Sequence, residues 1–402
     1  MIDQIIKRAQ EYQTKIIEFL QDLVRIPSVN GRDNERCIAE RIVVEAQKLD
    51  LPANLAALDP ERPNALVSYG SGKTEFALIG HMDTVAEGNT SDWTFPPFGA
   101  TIENGLIFGR GAADNKAGIA CGLYTLAVLR DLNLLDPDAY TVTLAGVADE
   151  ESGASSTLGV RYLLDSGLLH AEGAIYTYTS DIVCIGHRGL IRLEITTHGE
   201  SVHAGLAAWH NQSAGANAVT ALAEIISELE KMEMPLEPPP GFEHLGFKIT
   251  PGTMISGGDY PSIVPNRAKA IVDIRTLPGQ SSESVIEIFQ KIIDCVSNSR
   301  KGIKTDVAIT VNFPGASIPI DHPLALIAKE TAEAVTGRKW ERRGAGPGNE
   351  GYMLIGAGIP TLCGFGATGG NPHAPDEWVE IDSLPLTTAT YAQIITRFLS
   401  RN

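Results

Sequence analysis

Two apolar segments, each followed closely by imidazole or acidic side chains, constrain the fold of this chain more than any other feature. The first segment covers residues 75–80 and is followed directly by His81. The second covers residues 141–147 and is followed by the adjacent acids Glu150 and Glu151. Strands that are apolar along nearly their whole length are typically covered on both faces, as in parallel sheets flanked by helices. Because ligands of such sheets bind beyond the carboxyl ends of the strands, both segments point to one site.

The order of the predicted elements divides the chain into two domains. A length of 402 residues exceeds that of one typical domain. Residues 1–189 and 315–402 show the helix and strand alternation of an α/β domain, whereas residues 190–314 show a β-α-β-β-α-β order. We therefore predict a discontinuous α/β domain with a mostly parallel central sheet flanked by helices. The inserted segment is predicted to form a smaller α+β domain of the ferredoxin-like type.

The charge and composition argue against several classes of protein. Acidic residues outnumber basic ones by 49 to 32, and no cluster of lysine and arginine marks a nucleic-acid surface. No apolar run approaches the ~18 residues that a membrane span needs. The five cysteines are scattered without a CxxC pair, which argues against a disulfide framework and a cysteine zinc site. Residues 1–8 start a helix and not a secretion signal, so we expect a cytoplasmic protein.

Three side chains that come after the first segment in the chain, His81, Asp83 and Asp114, suit a metal site, although each has an ordinary structural alternative. A metal-bound imidazole usually donates its second N–H to a carboxylate, which makes the pair His81 and Asp83 informative. The alternative is a histidine at a strand end with a capping aspartate nearby. Asp114 follows a glycine-bearing turn at the start of a predicted helix, where an aspartate most often acts as an N-cap. These fragments alone leave both interpretations open.

The adjacent acids Glu150 and Glu151 are harder to explain without a cation. Two neighbouring carboxylates repel each other, and a metal ion bound to one of them would relieve that repulsion. The other carboxylate would then be available to take a proton from metal-bound water. A solvated acidic turn is the alternative. His373 lies in a loop rich in glycine and proline, which suits a metal ligand but also an ordinary surface histidine.

These fragments occur, together with others, in an order that resembles one known family. The motifs are H-x-D at 81–83, G-R-G-x-x-D-x-K at 109–116, D-E-E-S-G at 149–153, S-x-H-A-G at 201–205, V-P-N and D-I-R at 264–266 and 273–275, and N-x-H-A-P at 371–375. The sequence is similar to the co-catalytic zinc amidohydrolases that include acetylornithine deacetylase, succinyl-diaminopimelate desuccinylase, aminoacylase and glutamate carboxypeptidase. The likeness covers nearly the whole chain. In that family the interrupted domain is catalytic, and the inserted domain is a lid that usually forms a dimer.

The resemblance implies a metal centre and assigns its ligands. Asp114 would bridge two metal ions. Glu151 and His373 would complete one of the two sites, and His81 would begin the other. The expected metal is zinc, at one or two ions per chain, with cobalt or manganese as further candidates.

The resemblance also implies roles in catalysis. Glu150 would be the general base and later the acid that protonates the leaving amine, while Asp83 would orient His81. His203, in the lid, would stabilise the tetrahedral oxyanion across the dimer interface. Arg275 is expected to bind the substrate carboxylate, because a planar guanidinium fits a planar anion. An ordinary salt bridge inside the lid is the alternative for Arg275.

Gly258 and Asn349 are expected, from the same resemblance, to shape the substrate pocket. The chain departs from the family where an Asp or Glu usually completes the shell of the His81 metal. Tyr178 stands near that place, and Asp181 lies a few residues later, so either is a replacement ligand. Otherwise the second metal would be weak or absent, because a shell poor in carboxylates lowers the affinity for a dication. Ser262 also stands where the family more often has Asn.

The sequence therefore predicts a metal-dependent hydrolase that cleaves an amide bond of N-acyl amino acids or small peptides. Its partners would be a small substrate with a carboxylate and a second copy of the chain, bound through the lid. A dipeptidase or carboxypeptidase of the same family is the alternative among enzymes. An alternative from another class is a non-catalytic ligand-binding protein on a degenerate hydrolase fold that lacks the second metal. No nucleic acid or membrane partner is expected.

Overall fold

The computed structural model describes residues 1–234 and 237–401. Contacts between residues divide the chain into two compact units. The first unit comprises residues 1–187 and the described residues from 317 onward, and the second comprises residues 188–316. Each of these limits lies two residues from a boundary that the sequence indicates.

The strands are numbered along the whole chain. They are β1 (Ala53–Ala56), β2 (Asn64–Gly70), β3 (Thr74–His81), β4 (Thr101–Glu103), β5 (Leu106–Phe108), β6 (Tyr140–Val147), β7 (Gly173–Thr177), β8 (Ile182–His187), β9 (Gly189–His198), β10 (Lys248–Gly257), β11 (Arg267–Thr276), β12 (Lys304–Phe313), β13 (Ala316–Ser317), β14 (Glu341–Ala345), β15 (Thr361–Phe365), β16 (Gly369–Gly370) and β17 (Trp378–Glu380).

The helices are numbered in the same way. They are α1 (Ile2–Glu11), α2 (Gln13–Arg25), α3 (Arg36–Lys48), α4 (Ala117–Asp131), α5 (Val160–Asp165), α6 (Ala207–His210), α7 (Ala218–Glu230), α8 (Ser282–Ser299), α9 (Pro323–Thr336), α10 (Gly351–Gly356) and α11 (Ser383–Leu399). Among the described residues, no helix combines the length and the apolar character that a membrane crossing requires.

The first unit is built on a six-stranded sheet in the order β1-β2-β6-β3-β7-β15. β3 pairs in parallel with β6 and β7, and β7 pairs in parallel with β15. β2 pairs antiparallel with both β1 and β6. The side chains of β3 are buried from Phe76 to His81, as expected for a strand covered on both faces. The predicted α/β fold with a mostly parallel central sheet is therefore confirmed.

Three parallel strands end together at one edge of this sheet. His81, the last residue of β3, lies opposite Val147, the last residue of β6. The neighbouring strand β7 ends at Thr177. Because these strands run in the same direction, the residues that follow them collect at this edge, where ligands of such sheets bind.

Helix α4 lies buried beside this edge. Residues 117–129 are all buried, and α4 packs against α11. At Gly118 a Cβ atom would lie 2.5 Å from the backbone oxygen of Thr177, so only glycine allows this close approach. The side chain of Asn115 donates a hydrogen bond to the same oxygen. Loop 109–116, which precedes the helix, is thereby held against the end of β7.

Two smaller sheets complete the first unit, in the orders β13-β8-β14 and β16-β17-β5-β4. In the second of these, β17 pairs antiparallel with β5, and Trp378 lies opposite Phe108. Loop 109–116 follows β5 directly, and loop 371–377 precedes β17 directly. The strand pairing therefore brings these two loops side by side.

The second unit contains a four-stranded antiparallel sheet in the order β10-β11-β9-β12. Helices α7 and α8 pack against this sheet, and the core between them includes Leu193, Leu222, Val272 and Phe289. Apart from the short helix α6 between β9 and α7, the elements β9, α7, β10, β11, α8 and β12 follow one another in the β-α-β-β-α-β order. This is the α+β arrangement that the sequence indicates.

Candidate metal centre

Three of the predicted ligands meet at the edge where β3 and β6 end. His81 ends β3, Asp114 lies in the loop before α4, and Glu151 lies in a turn of 3₁₀ helix after β6. One donor atom from each of the three lies within 4.8 Å of the other two. His81 Nε2 is 2.8 Å from Asp114 Oδ1. In the part of the chain that the structure describes, these three form the one group of His, Cys, Asp and Glu that could hold a metal ion.

His373 joins the cluster from loop 371–377. Its Nε2 atom lies 3.0 Å from Glu151 Oε1 and 3.3 Å from Asp114 Oδ2. The two oxygens of Asp114 therefore face two different imidazoles, His81 on one side and His373 on the other. The side chain of His373 is 52% exposed, so the cluster is open to solvent on this side.

The charges of the cluster act strongly on its imidazoles. Burial lowers the pKa of His81, but contacts with Asp114 and Asp83 outweigh burial and raise that pKa well above its usual value. Contacts with Asp114 and Glu151 raise the pKa of His373 to about 10. Burial raises the pKa of Asp114, but its contacts with His373 and His81 hold that pKa well below the usual range. The carboxylates of the cluster thus stabilise positive charge on the groups that lie between them.

Glu150 is buried beside the cluster, in the same 3₁₀ turn as Glu151. Burial raises the pKa of Glu150 well above its usual value, His81 lowers it, and Glu151 raises it again. A carboxylate with a raised pKa can accept and return a proton near neutral pH. This environment suits the general base predicted at this position.

Asp83 holds the turn that carries Glu150 and Glu151. Its carboxylate accepts hydrogen bonds from the backbone N–H of Glu150 at 3.1 Å and of Glu151 at 2.9 Å. His81 Nδ1 lies 3.0 Å from the backbone oxygen of Asp83 and 3.7 Å from its carboxylate. The backbone oxygen of Asp83 thus makes the shorter contact with His81. The carboxylate of Asp83 instead fixes the 3₁₀ turn that carries Glu150, the predicted base.

A polar network that the sequence did not indicate lies behind this turn. The Asn30 side chain donates to Asp83 Oδ2 at 2.7 Å and to Asp149 Oδ1 at 2.8 Å. Arg62 donates to Asp149 at 2.8 Å and also to Glu35. Asp149 has a φ of 67°, which non-glycine residues seldom adopt, immediately before Glu150. The network holds this backbone in place.

Tyr178, and not Asp181, lies at the His81 side of the cluster. The Tyr178 hydroxyl is 3.1 Å from His81 Nε2. Asp181 is exposed and is not part of the group formed by His81, Asp114 and Glu151. Tyr178 therefore occupies the position for which the sequence left two alternatives.

The remaining predicted substrate residues are engaged within their own units. Asn349 is buried, and its amide donates to Cys363 O and accepts from Gly351 N. In the second unit, Arg275 pairs with Asp273, Nε to Oδ1 at 2.7 Å, which is the salt bridge considered as its alternative. His203, Gly258 and Ser262 also lie in the second unit. His203 is exposed and accepts a hydrogen bond from Gly205 N, Gly258 has a φ of 81°, and Ser262 accepts a backbone hydrogen bond from Ala204.

Two buried glutamates near the site were missed by the sequence analysis. Glu350 is fully buried and accepts a hydrogen bond from Tyr176, and burial raises its pKa to about 8. Glu377 is also fully buried and accepts hydrogen bonds from the backbone of loop 109–116. Glu350 directly follows Asn349, and Glu377 follows His373 by four residues. Each glutamate thus lies close in sequence to a predicted site residue, and this proximity is the signal by which the sequence could have indicated it.

The donor set fits a divalent transition metal. Imidazole nitrogen and carboxylate oxygen are ligands of zinc in catalytic sites, and also suit cobalt and manganese. The set comprises two carboxylates, Asp114 and Glu151, and two imidazoles, His81 and His373, and the contacts described above include no lysine or arginine paired with these carboxylates. A neighbouring buried carboxylate, Glu150, is left for proton transfer. Such a cluster at the strand ends of an α/β fold suits metal-dependent hydrolysis.

Comparison with known families agrees with this class. The sequence profile of peptidase family M20/M25/M40 matches residues 77–397. The chain belongs to this family and is a metallo-amidohydrolase. The resemblance noted in the sequence is thereby confirmed.

Three individual proteins illustrate how similar the chain is to known relatives and structures. The chain is 29% identical over 336 residues to a probable succinyl-diaminopimelate desuccinylase of Staphylococcus epidermidis, with 77% of this chain and 78% of that protein covered. A tripeptidase from Staphylococcus aureus superposes with a TM-score of 0.76 at 21% identity, covering 97% of this chain and 99% of that one. A metallo-carboxypeptidase from Sulfolobus solfataricus gives 0.74 at 20% identity, covering 96% and 99%. The two structures support the fold.

Proposed function

We propose that this protein is a zinc-dependent hydrolase that removes the acyl group from N-acyl amino acids. The observation that carries the proposal is the position of Asp114 between His81 and His373, with the buried Glu150 next to the cluster. Substrate deacylation is favoured because the curated relative with 29% identity is named as a probable desuccinylase.

The metal would be held by the four clustered side chains, His81, Asp114, Glu151 and His373, at one or two ions per chain. Zinc is the proposed metal, and cobalt or manganese would suit the same nitrogen and oxygen donors. When bound, such an ion polarises a carbonyl oxygen and lowers the pKa of water. The hydroxyl of Tyr178 adds an oxygen on the His81 side of the cluster.

Glu150 would move the proton in this reaction. It would accept the proton of the attacking water and return it to the nitrogen of the leaving amine. Burial favours its neutral form and so raises its affinity for that proton. Asp83 contributes by fixing the backbone N–H groups of Glu150 and Glu151.

The substrate carboxylate is proposed to bind Arg275, with Gly258 and Asn349 shaping the pocket and His203 stabilising the oxyanion. Arg275 already pairs with Asp273, so its role needs a direct test. If Arg275 binds the substrate carboxylate, Arg275→Met raises KM by about tenfold or more, as for a lost charged hydrogen bond of roughly 1.5–3 kcal/mol. An unchanged KM would assign Arg275 to the salt bridge alone.

We propose that the protein is cytoplasmic and forms a homodimer through the second unit. Support for the homodimer comes from β10, an edge strand on which Met254 and Ile255 are 71% and 62% exposed. Exposed apolar residues on an open strand edge favour pairing with another chain. Met254→Glu is expected to convert the dimer to a monomer in light scattering. A wild-type monomer would refute the proposal.

A second candidate function is an exopeptidase of the same family, favoured by the fold shared with a tripeptidase and a carboxypeptidase. The test compares amine release from N-succinyl and N-acetyl amino acids with release from dipeptides and tripeptides, after reconstitution with zinc. Faster turnover of the acyl amino acids supports the deacylase. Faster turnover of peptides assigns the exopeptidase. Ligand binding without turnover of either class would favour the non-catalytic binding protein.

A further inference from the structure

Glu377 and Arg110 form a buried ion pair that reaches the backbone of the metal-binding loop. Arg110 Nη1 lies 2.6 Å from Glu377 Oε2, and both side chains are almost completely buried. The other carboxylate oxygen, Oε1, accepts hydrogen bonds from the backbone N–H of Ala113 and of Asp114, each at 2.9 Å. One carboxylate thus contacts a cation on one side and the Asp114 backbone on the other.

Glu377 also joins the two loops that carry proposed ligands. It lies four residues after His373, at the end of the loop that precedes β17. Its backbone oxygen accepts a hydrogen bond of 2.8 Å from Gly109 N, at the start of the loop that carries Asp114. Backbone and side chain of Glu377 therefore hold both ends of the segment 109–114 against the His373 loop.

Arg110 is itself held in place. Its guanidinium carbon lies 5.1 Å from the centre of the Trp93 ring, and Nη2 donates to Ala86 O at 3.4 Å. A buried carboxylate without a partner is strongly unfavourable, and the contact with Arg110 offsets part of this cost for Glu377. Arg110 does not contact the proposed ligands, and its effect on them passes through Glu377.

We propose that Glu377 is a positioning residue of the metal centre, which fixes the Asp114 backbone so that its two carboxylate oxygens face His81 and His373. Arg110 compensates the charge of Glu377 and supports it indirectly. The inference rests on the proposed metal-dependent function. It concerns affinity for the ion, because the side chain of Glu377 contacts the backbone of Asp114 and the guanidinium of Arg110.

The direct test is the dissociation constant for zinc, measured by competition with a chromogenic chelator on the intact protein. In Glu377→Gln the side chain keeps its shape but replaces one oxygen with an N–H donor. That donor must face either Arg110 or the two backbone N–H groups, so one set of contacts is lost. Residues that orient metal ligands contribute roughly 10–100-fold in metal affinity. We expect Glu377→Gln to weaken zinc binding by this factor.

Glu45→Gln is the matched control. Glu45 is also a buried carboxylate, paired with Arg41 and accepting a hydrogen bond from Tyr124, but it lies on α3 and contacts none of the proposed ligands. Its substitution is expected to lower the melting temperature while leaving the zinc dissociation constant within about twofold of wild type. Comparison with this control separates positioning from general loss of stability.

Arg110→Met and the double variant Arg110→Met/Glu377→Gln complete the experiment. Effects of residues that act as one unit are not additive. If Arg110 and Glu377 act as one unit, the double variant therefore binds zinc no more weakly than the single variant with the lower zinc affinity. Tight zinc binding by wild type with unchanged binding by Glu377→Gln overturns the positioning role and leaves the proposed function standing. Equal weakening by Glu45→Gln overturns it as well. Absence of zinc binding by wild type overturns both proposals.

Discussion

Replacing Glu350 by glutamine should make the protein more stable at alkaline pH, although it removes a side chain next to the site. Glu350 is fully buried, and burial, with a further contribution from Asp83, raises its pKa from the ordinary value of 4.5 to about 8. The Glu350 carboxyl therefore binds its proton more tightly in the folded state than in the unfolded state. Its contribution to stability is complete below the unfolded pKa and is lost as the pH rises through the folded pKa.

The size of this effect follows from the two pKa values. A difference of about 3.5 units corresponds to an upper limit of about 5 kcal/mol, lost with a slope approaching 1.4 kcal/mol per pH unit. Glutamine has nearly the same shape and stays neutral at every pH. We therefore expect Glu350→Gln to match wild type near pH 5 and to exceed it in stability above roughly pH 7, with a flatter pH profile.

Thermal unfolding of wild type and variant over a range from roughly pH 5 to pH 9 measures this difference. The control is Glu45→Gln, because hydrogen bonds from Tyr124, Lys48 and Arg41 outweigh burial and lower the pKa of Glu45. Its contribution is present above the unfolded pKa, so glutamine should destabilise the protein at neutral pH. Parallel pH profiles for wild type and Glu350→Gln would refute the argument that Glu350 is held neutral by burial.

Two further predictions concern residues around the metal centre. Asn30→Ala leaves Asp83 and Asp149 without their shared hydrogen-bond donor. We therefore expect the free energy of unfolding to fall by about 1–3 kcal/mol and hydrolysis to be slower. Urea denaturation and activity assays that both match wild type would contradict this prediction. Tyr178→Asp places a carboxylate beside His81 and is expected to raise the zinc content per chain in elemental analysis, because carboxylates bind dications better than a neutral phenol does. Tyr178→Phe is its control, and an equal rise in that variant would show that the carboxylate is not responsible.

The fold and the ligand cluster were accessible from the sequence because both depend on local patterns. The apolar runs of β3 and β6 predict buried parallel strands, and the polar residues after them necessarily collect at one edge. His81 and Glu151 could be found from that reasoning, with Asp114 and His373 added by motif. The ordinary alternatives for these residues were set aside only because the motifs occur together and in the order of a known family.

The supporting residues could not be found in this way, because their contacts join distant parts of the chain. Asn30 and Asp149 are separated by 119 residues, and Arg110 and Glu377 by 267. A single polar residue in a loop carries no periodic signal, and its partner is decided by how the strands and loops meet in three dimensions. The choice between Tyr178 and Asp181 depended in the same way on where the backbone turns after β7.

The central claim is that Glu150 moves the proton at a metal centre formed by its neighbours. Zinc content and hydrolysis of an N-acyl amino acid, measured together on wild type and Glu150→Gln, test this claim most directly. We expect both proteins to contain zinc, and the variant to hydrolyse the substrate about 100-fold to 10,000-fold more slowly, as for loss of a general base. A wild-type protein without zinc that still turns over, or a variant that keeps full activity, would contradict the claim.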